Sequence, residues 1–283
     1  MTLPQTANRG PIGVFDSGYG GLTILSGIRK QLPQYDYLFL GDNARAPYGP
    51  RSFEVVYEFT RQAVLRLFSL GCRLVILGCN TASAKALRSI QQTDLPHWDP
   101  TRRVLGVIRP TVESIGGITH NNHVGLLATE GTVKSRSYDM ELCKLWPDVQ
   151  LSSEACPVWV QLVEYGETQG QGAAYFVKKH IDTLMAKDAA IDTIILGCTH
   201  YPLLLPQIRK FTPPSVTIVS QGEYVARSLA DYLSRHPEME AMCARGGTCR
   251  YLTTEAIENF REGAQRFLKE AIFPEHIELE PTE

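Results

Sequence analysis

The sequence predicts an α/β fold of two similar α/β/α lobes with mainly parallel sheets and a cleft between them, on three observations. First, short apolar or β-branched runs alternate with amphipathic helical stretches, the pattern of strand–helix units. Second, several of these runs are apolar over four to six residues, as expected of strands covered by helices on both faces. Third, the chain repeats itself. Ile12-Gly13-Val14-Phe15-Asp16-Ser17 resembles Val124-Gly125-Leu126-Leu127-Ala128-Thr129, and Val75-Ile76-Leu77-Gly78-Cys79-Asn80-Thr81 resembles Ile194-Ile195-Leu196-Gly197-Cys198-Thr199-His200. The offsets, 112 residues (12 to 124) and 119 (75 to 194), nearly agree, so each half carries the same strand order.

In chain order, strands are predicted over residues 12–15, 37–41, 74–77, 104–107, 123–127, 193–196 and 216–219. Helices are predicted over 21–31, 52–70, 132–144, 172–187, 224–236 and 254–269. Ser52 suits an N-cap because its hydroxyl can accept from an otherwise unpaired backbone N–H of the first turn. The Pro- and Gly-rich segments 46–50, 212–214 and 245–248 read as loops. One lobe is expected to be discontinuous, residues 1–103 plus 214–283, and the other to span 104–213. Facing lobes bring equivalent strand ends to one cleft, and ligands of open α/β sheets collect at the carboxyl ends of strands.

Composition narrows the function classes. Lys plus Arg (28) nearly balance Asp plus Glu (30), which gives no electrostatic case for nucleic acid or an anionic membrane as a main partner. No apolar stretch approaches the roughly 20 residues that span a bilayer, and residues 1–10 lack the apolar core of a signal peptide. Seven cysteines, an odd number with no CxxC pair, argue against a disulfide framework, a zinc ribbon and a thioredoxin-like motif. The expected setting is a reducing cytoplasm, where thiols remain available for chemistry.

Two of the seven stand out. Cys79 and Cys198 each follow an apolar strand and a glycine, and each precedes hydroxyl, amide or imidazole groups: Asn80 and Thr81 in one case, Thr199 and His200 in the other. The glycine lets the backbone turn sharply and approach a ligand. The end of a strand before a helix puts the sulfur where the local field favours thiolate and anionic groups. Cys72, Cys143, Cys156, Cys243 and Cys249 have no such context and read as small buried hydrophobes. A single thiol with a histidine suits acyl transfer, and a pair that closes a disulfide suits redox work. Two thiols on opposite faces of one small substrate suit proton removal from one side and delivery to the other, which inverts a stereocentre. A free thiol, with a pKa of about 8.5, can serve as both acid and base after modest tuning.

Six segments taken together, IGVFDSGYGGLTIL (12–25), FLGDNARAPYG (39–49), LVILGCNTASA (74–84), GLLATEGTVKSRSY (125–138), ACPVWVQLVE (155–164) and LGCTHYPLL (196–204), resemble the glutamate racemases of the aspartate/glutamate racemase superfamily. The similarity runs from about residue 11 to 233. It implies interconversion of L- and D-glutamate, supplying D-glutamate for bacterial peptidoglycan, with no pyridoxal phosphate and no metal, and by analogy a homodimer. It further implies that Cys79 takes the α-proton from D-glutamate and Cys198 from L-glutamate. Asp16 would assist Cys79, and His200, steadied by Glu164, would assist Cys198. Ser17, Tyr48, Gly49, Asn80, Thr81, Thr129, Thr132 and Thr199 match positions that hold the substrate's carboxylates and ammonium.

Physical reasons stand beside the resemblance. Without a cofactor no electron sink receives the carbanion, so aligned donors in a water-excluding site must stabilise charge developing on the carboxylate. The 47–49 loop offers backbone N–H groups to a side-chain carboxylate, and Asp16 beside a thiol can accept a proton or orient the ammonium. Plainer readings exist: Asp16-Ser17 as a turn and helix cap, His200 as a structural ring bonded to backbone, Glu164 as a solvated surface group. His120 and His123, in a polar loop with no carboxylate or thiol nearby in sequence, make a poor metal site. Gly18-Tyr19-Gly20-Gly21 hints at a nucleotide loop, but Thr23 stands where GxGxxG needs its third glycine. Departures from the family pattern are Ser220-Gln221-Gly222 in place of Asp-Ser-Gly, Gln161 in place of a common proline, and Arg109 at a variable position. Rival functions are an aspartate or hydantoin racemase of the same superfamily, and a non-catalytic binding or thiol redox protein.

Overall fold

A computed structural model describes residues 9–268 and 270–280. Residues 1–8 of the polar start, residue 269 of the last predicted helix and residues 281–283 of the predicted first-lobe tail lie outside the described residues. Among the described residues ten strands form: β1 (Ile12–Asp16), β2 (Tyr37–Gly41), β3 (Leu74–Leu77), β4 (Arg103–Gly106), β5 (His123–Ala128), β6 (Gln150–Ala155), β7 (Thr193–Gly197), β8 (Thr217–Val219), β9 (Cys249–Thr253) and β10 (Pro274–His276). They make two sheets, ordered β10-β9-β2-β1-β3-β4 and β6-β5-β7-β8, and every pairing is parallel. The run β2-β1-β3-β4 in one sheet therefore has the order of β6-β5-β7-β8 in the other. β1 answers β5 and β3 answers β7, the two pairs that the sequence repeat picks out.

The sheets divide the chain one strand later than the sequence boundaries do, at both crossings. β4 pairs with β3 and completes the first sheet, although a boundary at 103 assigns it to the second lobe. β8 pairs with β7 and completes the second, although a boundary at 213 assigns it to the first. The reason is the repeat itself, which extends by one more parallel strand on the same side of each lobe.

Three strands escaped the sequence reading. β6, Gln-Leu-Ser-Ser-Glu-Ala, is an edge strand with no fully buried residue, and β9 and β10 form the far edge of the other sheet. Edge strands carry polar residues because one side faces water, so they lack the apolar run that marks a central strand. The predicted helix 132–144 is two helices, Glu130–Ser135 and Ser137–Leu145, broken where Arg136 takes a left-handed φ of 53°. Among the described residues of the predicted helix 254–269, only Ile257–Ala264 is helical. Ser52 caps the helix Phe53–Ser69 as expected, accepting from Val55 N at 3.3 Å.

Alternation along the strands sorts the core into one apolar layer on each face of each sheet. In β1, Ile12 and Val14 pack on one side and Phe15 on the other; in β7, Ile194 and Leu196 oppose Ile195. Each such side chain, fully buried, contributes roughly 1.5–3 kcal/mol of transfer free energy, which makes a one-residue register slip untenable. The helix Gly222–Arg235, which follows β8, returns to the first lobe and packs against the helix Gly21–Gln31. At Gly27 the two helices touch so closely that a Cβ would lie 2.7 Å from the carbonyl oxygen of Gly222.

Gly27→Ala is expected to lower stability despite a helix-propensity gain of about 1 kcal/mol. The overpacking against Gly222 costs roughly 1–3 kcal/mol, leaving a net loss of about 1 kcal/mol, read from the urea midpoint. A midpoint that rises would show that the helices separate freely.

Candidate active site

The carboxyl ends of β1, β3, β5 and β7 converge on a cavity of about 150 Å³ between the sheets. Of the sequence-predicted residues, Ser17, Tyr48, Gly49, Cys79, Asn80, Thr81, Thr129, Glu164, Cys198, Thr199 and His200 all line it. Both thiols open onto this one space, each buried to 6 % exposure. Two of the expected residues stand behind the wall. Asp16, 1 % exposed, lies beneath the cavity, and Thr132 is buried behind Thr129, whose hydroxyl donates to it at 3.1 Å. Thr132 is thus placed to orient Thr129 rather than to meet a ligand directly.

On the first wall, Cys79 ends the turn after β3 and caps the helix Asn80–Lys85, its Sγ accepting from Ala82 N at 3.4 Å. Ser17 Oγ lies 3.3 Å from the same sulfur. Burial pushes the Cys79 thiol up to about 12, and the nearby Asp16 carboxylate adds to that rise against the Ser17 and Ala82 hydrogen bonds. Asp16 is itself raised by burial, while charged His200 and the N–H groups of Gly21 and Gly18 pull it back. Its Oδ2 accepts from Gly18 N at 2.9 Å, and its Oδ1 is buried without a hydrogen-bond partner. The carboxyl group therefore acts on the cavity through its charge and through the turn at Gly18, which lines it.

The second wall is built differently. Cys198 follows β7, and His200 Nδ1 lies 3.9 Å from its sulfur. His200 Nε2 lies 3.0 Å from Glu164 Oε1, at the end of the helix Trp159–Glu164. Burial works against charge on this ring, but the Cys198 and Glu164 hydrogen bonds and charges outweigh it and raise His200 to about 10. The ring is packed edge-on against Phe267 at 5.3 Å, which shields it from water. A cation therefore faces one sulfur, and a carboxylate lies near the other.

The lobes meet around this space. Thr81 and Thr129 hydroxyls lie 3.0 Å apart across the cleft, and Thr23 Oγ1 donates to Thr199 O at 3.2 Å. Gly20 has no room for a side chain: a Cβ there would sit 2.1 Å from Thr199 Oγ1 and 2.5 Å from His200 Nδ1. The 46–50 loop closes the rim. Tyr48 is 1 % exposed, with its hydroxyl donating to buried Asp42, and Gly49 packs on Thr129.

Pro157, Val160 and Gln161 also line the cavity and were not singled out in the sequence as site residues. They follow β6, whose polar edge character hid the strand end that presents them. His123, read from sequence as lacking a carboxylate, has one: Asp188 Oδ2 lies 2.7 Å from its Nδ1, a contact between segments 65 residues apart. No group of three or more side chains able to hold a metal occurs among the described residues.

Comparison with known proteins gives a consistent picture. Residues 21–229 match the Asp/Glu/hydantoin racemase family model. The chain is 41 % identical over 271 residues to the glutamate racemase of Ruegeria sp. strain TM1040, covering 92 % of this chain and 97 % of that one. Its fold superposes on a glutamate racemase isoform from Bacillus anthracis with a TM-score of 0.87 at 34 % identity, covering 96 % and 98 % of the two chains. It superposes on glutamate racemase of Francisella tularensis in complex with D-glutamate with a TM-score of 0.83 at 30 % identity, covering 96 % and 97 %.

The raised His200 pKa makes stability depend on pH in a defined sense. Its contribution is complete below the unfolded value of 6.5 and is lost as pH climbs through about 10. NMR titration of the His200 ring is expected to centre near 10, and Glu164→Gln to lower the midpoint by about one unit or more. An unmoved midpoint would mean that the carboxylate does not hold the charge.

Proposed function

The chain belongs to the Asp/Glu/hydantoin racemase family, and from that premise we propose that it interconverts L- and D-glutamate by a two-thiol, cofactor-independent route that supplies D-glutamate for peptidoglycan. The observation that carries this reading is that the two glycine-cysteine strand ends, equivalent in the two lobes, open onto the same buried cavity. The curated relatives at 37–41 % identity are glutamate racemases, which supports glutamate over aspartate or a hydantoin.

In the proposed cycle, the thiolate of Cys198 takes the α-hydrogen of L-glutamate as a proton. The C–H electron pair delocalises onto the α-carboxylate, where Asn80, Thr81 and Thr199 offer donors. Cys79, held in its thiol form by burial and by Asp16, delivers its proton to the opposite face. The D-enantiomer leaves, Cys198 is now protonated and Cys79 is the thiolate, and the reverse reaction or proton exchange with solvent restores the start. His200 Nδ1, 3.9 Å from the Cys198 sulfur, is placed to steady negative charge there as the proton moves. The resemblance supports Asp16 as the group that assists Cys79, acting from beneath the cavity through its charge. Backbone of the 47–49 loop, across the cavity, is suited to the side-chain carboxylate.

The same resemblance supports a homodimer and a cytoplasmic setting, in which the seven free cysteines stay reduced. Among the described residues no helix is long and apolar enough to cross a membrane.

Because enantiomers have equal free energy in water, kcat/KM must be the same in both directions, and loss of either thiol must slow both alike. Cys79→Ala and Cys198→Ala are each expected to lower racemisation by about 10³-fold or more, followed by circular dichroism of glutamate. In heavy water the two variants should differ: Cys79→Ala still exchanges the α-hydrogen of L-glutamate, and Cys198→Ala that of D-glutamate. Retention of full racemisation by either would overturn the two-thiol assignment. Wild-type turnover of D-aspartate faster than D-glutamate would overturn the substrate assignment.

A further inference from the structure

We infer that Gln221 is a positioning residue for this reaction, its buried amide closing a one-way ring of hydrogen bonds that orients Asn80 at the cavity wall and ties together both chain crossings between the lobes. The inference rests on the racemase reading above and deepens it.

The chain leaves the first lobe at Val107, between β4 and the helix Ile108–Ile115, and returns at Gln221, between β8 and the helix Gly222–Arg235. Gln221 is 2 % exposed, so its amide must find partners inside the protein. Asn80 Nδ2 donates to Gln221 Oε1 at 2.6 Å, Gln221 Nε2 donates to the Tyr138 hydroxyl at 2.9 Å, and that hydroxyl donates to Asn80 Oδ1 at 2.8 Å. Three donors meet three acceptors in a closed circuit. The second hydrogen of Gln221 Nε2 goes to Thr111 Oγ1 at 2.9 Å, whose own hydroxyl donates to Val107 O at 2.8 Å.

The direction of the circuit is fixed. Val107 O also lies 3.3 Å from Gln221 Nε2, and a carbonyl can only accept, so the nitrogen must face it. Turning Asn80 alone would set oxygen against oxygen. Asn80 thus commits its oxygen and one N–H to the ring and keeps one N–H for the cavity that it lines, next to Cys79. In the proposed cycle that N–H is one of the donors for charge developing on the α-carboxylate. Gln221 does not line that cavity: it acts through Asn80.

The test is kinetic. Gln221→Met keeps the length of the side chain and removes both amide functions. The expected result is kcat lowered about ten-fold, short of the hundred-fold or more that follows removal of an oxyanion donor itself, with KM within about two-fold. Asn80→Ala/Gln221→Met is expected to be no slower than Asn80→Ala alone, because the two act as a unit. A folded Gln221→Met protein with wild-type kcat, even with a lower melting temperature, would overturn the inference, as would losses that multiply in the double variant. If that variant does not fold, Tyr138→Phe opens the same ring with little change in volume and carries the same expectation on kcat; wild-type kcat in it overturns the inference too. A wild-type protein without glutamate turnover would overturn the racemase reading and this inference together, whereas a fast Gln221→Met variant overturns this inference alone.

Discussion

The close approach of the lobes at Gly20 governs the site. A backbone with no side chain there lets the start of the first helix press against Thr199 and His200 of the opposite lobe. That contact draws together the walls of a small, buried space with one sulfur on each. Burial matters because an unassisted α-carbanion is stabilised only by fixed dipoles, which act strongly where water does not compete. The same exclusion of water raises the Cys79 thiol and the Asp16 carboxyl. Enclosure, therefore, sets both the electrostatics and the geometry of the chemistry.

The two walls are alike in topology and unlike in charge. Each thiol follows a strand, a glycine and a sharp turn, and each sits near the N-terminal side of a helical segment. Yet one has a buried carboxyl group for a neighbour, and the other an imidazolium backed by Glu164. Duplicated backbone placed the sulfurs, and divergent side chains differentiated them. A catalyst that must work on either hand of a substrate thus need not be symmetric itself, since thermodynamics equalises the two directions whatever the asymmetry of the intermediates.

Much of this arrangement is legible in the sequence because it is local. The apolar strands ending in Gly78-Cys79 and Gly197-Cys198 announce themselves by composition, and the repeat foretells that β1 and β5, like β3 and β7, occupy equivalent places. What the sequence conceals is either polar or remote. β6 has no apolar run, so the wall residues that follow it, Pro157 to Gln161, could not be placed. The partnership of Glu164 with His200, 36 residues on, comes from resemblance and not from pattern. The Asn80–Tyr138–Gln221 ring joins three segments that no local rule connects, and Ser220-Gln221 registers in the sequence only as a departure from a motif. Lobe boundaries slipped by a strand because an apolar run does not say which sheet it will join.

The side-by-side passage of the two interlobe crossings has a mechanical meaning. Two chain segments held together along a short seam behave as a door hinge, with one easy axis, whereas a single strand would behave as a swivel. Here the seam is sealed by the hydrogen bonds of Gln221 Nε2 to Val107 O and Thr111 Oγ1, so sideways sliding of one wall past the other would break buried hydrogen bonds.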